Sequence, residues 1–147
     1  MNNVSATSEL AQLVDDFSVL DDWEDRYRHV IELGKALPAM PDELKSPATK
    51  VSGCASQVWI HTTAVATPTG RKLALVGDSD ALIVKGLIAI TFMMFEPLSI
   101  EAYAGFDSAA VLANLGLQEH LTPQRSNGLA SMVKRIKADA VAAQLLA

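Results

Sequence analysis

Hydrophobic positions return along this chain at two different intervals, and the change of interval divides it into three parts. From Ser8 to Phe17, and again from Trp23 to about Leu37, apolar residues recur every three or four positions, the spacing of a helix with one buried face. Asp22 stands where an N-cap carboxylate belongs, and Pro38 ends the second helix. Trp23, Tyr27, Val30 and Ile31 fall along one face of that helix, so its aromatics read as core and not as a cofactor-binding set. The segment Pro38 to Pro47 holds three prolines, which forbid regular pairing and predict a loop laid over the surface. Gln57 to Ala66 then changes to β-branched and aromatic residues, and Thr67-Pro68-Thr69-Gly70 turns it back into Lys72 to Val76. This predicts an antiparallel hairpin, with a short strand near Lys50 to Ser52 pairing alongside.

Helical periodicity resumes after the hairpin. Ala81 to Phe95 is apolar on nearly every side and is expected at the centre of the molecule, between the sheet and the outer helices. Asp78-Ser79-Asp80 offers N-cap oxygens at its start, and Glu96-Pro97 stops it. Lys85 interrupts this run, and its ammonium must reach water or a carboxylate, Asp78 and Glu96 being the candidate partners. Shorter helical pieces are expected at Ser99 to Ala104 and at Ser108 to Leu115, the latter ended by Gly116. Thr122-Pro123 pairs a capping hydroxyl with a proline at the first helical position, opening a final helix to about Leu145. Helices, then a small antiparallel sheet, then helices, with no repeat, predict an α+β fold. The whole chain, 1–147, is read as one domain, with residues 1–7 flexible.

Composition narrows the function classes. The net charge is −5, with acidic residues gathered in the first quarter, which disfavours nucleic acid as a partner. Lys134, Arg135 and Lys137 form a small basic cluster on the last helix and read as a solvated face. The longest apolar run falls short of the roughly 20 residues that cross a bilayer, so no membrane partner is expected. Met1 to Glu9 lacks the basic start and apolar run of a secretory signal, and a single cysteine suits a reducing compartment; both point to the cytoplasm.

That cysteine is the strongest chemical feature. Cys54 lies in Val51-Ser52-Gly53-Cys54-Ala55-Ser56-Gln57-Val58-Trp59-Ile60, a polar turn running straight into a strand. Gly53 opens backbone angles closed to other residues and can present the next side chain on a tight turn. With no second cysteine for an internal disulfide, any covalent chemistry at Cys54 must be resolved by another molecule. From the residues alone several readings stay open. One is a cysteine hydrolase or transferase using His120 and an aspartate. The others are a redox sensor or thiol peroxidase, and a structural cysteine in a binding module. His29 and His61 read as structural or exposed, Gln57 as a hydrogen-bonding support of the loop and Trp59 as packing beneath it.

The cysteine segment resembles that of the SufE-like cysteine desulfuration proteins, sulfur acceptors that partner pyridoxal-phosphate cysteine desulfurases. Further stretches resemble the same family in the same order. These are Trp23-Glu24-Asp25-Arg26-Tyr27 with Ile31-Glu32-Leu33-Gly34, then Gly77-Asp78-Ser79-Asp80-Ala81 with Ile83-Val84-Lys85-Gly86-Leu87, and His120-Leu121-Thr122-Pro123-Gln124-Arg125-Ser126-Asn127-Gly128. Together they span about residues 20 to 140, leaving the amino-terminal extension unmatched.

The resemblance implies a compact α+β fold shared with iron–sulfur scaffold proteins of the IscU type. It implies that Cys54 accepts persulfide sulfur from the desulfurase, stimulates it, and hands the sulfur to a scaffold. One thiol is too few to hold a cluster, so the scaffold's own function is disfavoured here. No metal or cofactor on this chain is implied, the pyridoxal phosphate belonging to the partner, and no stand-alone turnover. Asp80 and Arg125 lie in the motifs implied to sit near the cysteine loop, as possible support for Cys54 together with His120. The implied docking face comprises Gly53, Ser56, Gln57, Gly77, Asp78 and Asp80 with the Arg125 region. A carrier must also shield its sulfur from stray thiols, so Cys54 is expected to be substantially buried in the free protein and to emerge on docking.

Overall fold

The computed structural model describes residues 4–146. Two helices come first, α1 (Val4–Val19) and α2 (Trp23–Lys35). A hairpin follows, β1 (Val58–Thr67) and β2 (Gly70–Ser79), and then α3 (Leu82–Phe95). The chain ends with α4 (Ser108–Leu115), a single turn α5 (Leu117–His120) and the long α6 (Pro123–Leu145). This is the expected α+β order. The expectation of flexibility falls partly on residues 1–3, outside the described residues, and Val4 to Thr7 belong to α1.

The strands pair antiparallel from Val58 opposite Ser79 to Thr67 opposite Gly70, so the hairpin turns where the proline and glycine predict. Side chains alternate as a half-buried sheet requires: Val58, Ile60, Leu73 and Leu75 face the core. β2 runs three residues beyond its predicted end, because Gly77 and Ser79 continue the buried face although neither carries an apolar side chain. The expected third strand is reduced to one bridge, Lys50 to Trp59, flanked by backbone bonds from Val51 N to Val58 O and from Ile60 N to Thr49 O, each 2.8 Å. The proline-rich loop contributes a 3-10 turn, Asp42–Leu44, and the piece expected at Ser99 is a second one, Ile100–Ala102.

As expected, α3 lies at the centre, packed against α1, α2, β2 and α6. Ile88, Ile90 and Phe95 are wholly buried, and each such side chain contributes about 1.5–3 kcal/mol through the apolar area it removes from water. Gly86 lets α2 come close: a Cβ there would collide with the carbonyl oxygen of Val30. The start of α3 departs from expectation. Its N-cap is Ala81, with no side-chain cap bond, because the three candidate oxygens are used elsewhere. Asp78 Oδ1 accepts from Ser79 N, Ser79 Oγ from Ala81 N, and Asp80 Oδ1 from Gln57 N. Strand and cysteine loop have drawn the oxygens away from the helix.

The basic cluster on α6 is corrected as well. Only Lys134 is exposed; Lys137 Nζ reaches the carbonyl of Phe106 at 2.8 Å, and Arg135 is tied into the fold. A core position on α2 also moves. Val30 is buried, but Tyr27 is exposed, its hydroxyl accepting from the Arg125 guanidinium at 3.0 Å. No helix among the described residues is long and apolar enough to cross a membrane.

Candidate functional site

The cysteine loop begins and ends on firm backbone. Arg135, on α6, donates to the carbonyls of Ala48 (2.8 Å), Lys50 (3.4 Å) and Ile60 (3.4 Å), gripping the chain on both sides of the loop. Asp139, one turn on, receives Arg135 Nε at 3.1 Å and the Thr62 hydroxyl at 3.0 Å. The root is therefore pinned to one helix by charge-assisted bonds, which are stronger than neutral ones.

Between these anchors the chain turns through Gly53 at φ 89°, in the left-handed region that favours glycine. This swings Cys54 inward while Ser52, Gly53 and Ala55 stay at the surface. Cys54 is half-buried, less than expected, with Sγ 3.6 Å from the carbonyl oxygen of Gly128 on α6, the range of a weak S–H donor. Thr122 caps α6 by accepting from Arg125 N at 3.2 Å, with Pro123 behind it, as expected. The first two turns of α6 are thereby aimed at the cysteine.

A small cavity lies between them, with room of about 20 Å³ for a water-sized sphere. Cys54, Ala55 and Ser56 form one wall, Val84 and Leu87 of α3 another, and Gln124, Arg125, Gly128 and Met132 of α6 the third. The lining is mostly apolar, and burial pushes the Cys54 thiol up, away from the thiolate. At neutral pH the resting sulfur is a protonated thiol facing a carbonyl, a poor nucleophile.

The expected site residues divide around this cavity. Arg125 lines it, held by Tyr27, and Ser56 belongs to its wall. Asp80 stands at the loop's exit, fastening Gln57 N at 3.0 Å, so the loop is anchored there by a carboxylate. Gln57 also takes a long contact from Lys50 Nζ, 3.4 Å, in keeping with a support role. His120 does not line the cavity: its ring stacks on Trp23 with centroids 4.0 Å apart. Trp59 does not line it either; its ring receives the Lys45 ammonium 5.3 Å from the centroid.

Two residues of the expected docking face are engaged within the fold. Gly77 is buried against α3, where a Cβ would press on Phe92 and Ile88 at 3.0 and 3.1 Å. Asp78 is occupied by Lys45 at 2.7 Å and Lys85 at 3.3 Å, which also answers the question of the Lys85 partner. Burial raises the Asp78 carboxyl, but Lys45, the Ser79 N–H and Lys85 together outweigh it and hold the group below its usual range. Sequence reading missed Gly128 and Met132 as site residues. Gly128 closes the last family-like motif, but its contact with Cys54 spans 74 residues and no local periodicity reports it. Arg135 was misread for the same reason, its acceptors being backbone carbonyls of distant segments.

The chain has relatives along nearly its full length. An uncharacterized SufE-like protein of Rhizobium etli is 50% identical over 133 residues, covering 90% of each chain. Another from Rhizobium meliloti is 47% identical over 133 residues, 90% of this chain and 95% of that one. The solution structure of a hypothetical protein from Thermus thermophilus superposes with a TM-score of 0.71 over 92% of this chain and 96% of that one; at 24% identity it speaks for the fold. Residues 11–140 match the SufE family, described as an Fe–S metabolism associated domain. With its cysteine loop set against α3 and α6, and with these relatives over nine-tenths of its length, the chain belongs to the SufE family and has a role in Fe–S metabolism.

Proposed function

We propose that this protein is a sulfur carrier: Cys54 takes persulfide sulfur from a pyridoxal-phosphate cysteine desulfurase in the cytoplasm and passes it on for iron–sulfur cluster assembly. The observation that carries this reading is the setting of the chain's one thiol, on a glycine-turned loop at an apolar cavity and anchored on both sides. The Cys54 thiolate attacks the outer sulfur of the donor persulfide. One S–S bond forms as another breaks, the donor's inner sulfur leaves as thiolate, and the proton stays on the transferred sulfur. Sulfur changes hands without net oxidation. Delivery repeats the exchange, with the recipient's thiolate attacking the outer sulfur and Cys54 leaving.

Burial supports a resting state that is inert. The thiol must become thiolate to react, and docking that lifts the loop from α6 restores solvation and ionisation. Arg125 beside the cavity is suited to stabilise the thiolate or persulfide anion by charge. The same features weigh against the rivals. A thiol peroxidase calls for an exposed, readily ionised thiol, whereas burial here favours the neutral form. A hydrolase needs a base within reach, and His120 is stacked on Trp23 outside the cavity. The docking face reduces to Gly53, Ser56, Gln57 and Asp80 with Arg125 at its edge.

The test is intact-mass analysis after incubation with a cysteine desulfurase and cysteine, with Cys54→Ser alongside and desulfurase turnover recorded. The expected result is a reductant-reversible gain of one sulfur atom and faster turnover, both absent in the variant. Absence of gain and of stimulation across the available desulfurases overturns the proposal.

A further inference from the structure

We infer that Gly128 sizes the cavity beside Cys54 for a single transferred sulfur atom, making it the residue that sets how much sulfur the chain carries and how well that sulfur is shielded. The inference rests on the sulfur-carrier reading and concerns a residue that does no bonding chemistry through a side chain.

Three observations meet at this position. Gly128 is buried in α6, a helix it does not need to break or kink. Alanine would suit a helix interior better, so a packing reason for glycine is required. The structure supplies one: a methyl on Gly128 would point at the cysteine, 3.5 Å from Sγ and 3.8 Å from both Cα and Cβ. These are ordinary contacts, so the resting thiol tolerates the methyl. The room for anything attached to Sγ is another matter. Cavity and missing Cβ lie between the same groups, and the cavity holds about one water-sized sphere, 20 Å³, between Cys54, Gly128, Val84, Leu87 and Met132.

A persulfide adds one sulfur about 2 Å beyond Sγ. The available room accepts such an atom and no longer sulfur chain. Once Cys54 has attacked a donor and the donor thiolate has left, the new outer sulfur turns into this space, where the apolar walls keep solvent thiols from reaching it. A second sulfur would have to project out of the cavity, where solvent thiols attack it. Gly128 thus acts through volume, as a specificity determinant for one sulfur over several, and Val84 bounds the same space from α3.

The experiment loads purified protein with inorganic polysulfide, which needs no partner, removes excess donor, and follows intact mass while glutathione is added. The wild type is expected to hold one added sulfur and no more. Gly128→Ala should melt no lower than the wild type, since alanine suits the helix and meets only ordinary contacts in the resting protein, yet lose its sulfur to glutathione at least about tenfold faster, the weight of a modest overpacking penalty. Val84→Ala widens the cavity and is expected to retain a second sulfur. Retention by Gly128→Ala equal to that of the wild type, or stable chains of several sulfurs on the wild type, overturns the inference. A wild type that protects one polysulfide-derived sulfur but takes none from any desulfurase supports the cavity assignment and rejects the carrier reading beneath it.

Discussion

The root and the tip of the cysteine loop are a few residues apart and are held in opposite ways. At the root, Arg135 binds three backbone carbonyls from both sides of the loop, and paired backbone bonds at Val51 and Ile60 complete the frame. At the tip, Cys54 meets α6 through one weak sulfur contact with Gly128, while its neighbours Gly53 and Ala55 are exposed. Such a division suits a group that must be shielded at rest and exposed on demand. Strong bonds fix where the loop starts and ends; weak contacts at the tip leave the thiol's position to be changed at small cost. The same helix supplies both, Arg135 at the root and Gly128 at the tip lying two turns apart on α6.

The largest expected effect comes from cutting the root. Arg135→Met leaves Asp139 without its cation and three carbonyls without a donor, at a cost of about 3 kcal/mol in unfolding free energy. Urea denaturation measures it, and a loss below about 0.5 kcal/mol, the level of an ordinary surface change, would remove the proposed anchor.

A smaller effect is expected beneath the loop's exit. Asp78→Asn removes the charge shared by Lys45 and Lys85 and should lower the urea midpoint, by less than Arg135→Met does because solvent screens part of the set. The sign of its pH dependence follows from the depressed carboxyl. The stabilisation is complete above the ordinary aspartate range and is lost as pH falls through the lowered folded-state value. Denaturation curves of wild type and variant should therefore converge in acid, and a gap that persists there contradicts the ion-pair account.

The smallest structural effect belongs to the tip and is read as reactivity. Because burial raises the Cys54 thiol, alkylation of the native protein should rise with pH to a midpoint above that of the urea-unfolded chain. At neutral pH the native protein should react more slowly. Equal midpoints and rates would mean that the tip offers no shelter.

Much of this was legible in local pattern. The hairpin and its turn, the all-apolar central helix, the capped start of α6 and the α+β order follow from periodicity and from proline, glycine and capping residues, because those signals act within a few positions. Cys54 and the Gly53 turn before it are local in the same sense. The capping oxygens of Asp78, Ser79 and Asp80 misled, since each had a second possible acceptor role and only the packed strand and loop chose between them. Lys134, Arg135 and Lys137 look alike in sequence, yet Lys134 is exposed while Arg135 and Lys137 are half-buried against backbone carbonyls.

What the chain alone determined is therefore the kind of chemistry: one thiol, on a turn that only glycine makes easily, within motifs like those of a sulfur-handling family. Tertiary structure decided what that thiol meets. It set Gly128 and Met132 around the sulfur, moved His120 onto Trp23 and buried Gly77. The reason is physical: hydrogen bonds within a turn are specified by adjacent residues, whereas a cavity is the space left over when segments far apart in sequence are packed together.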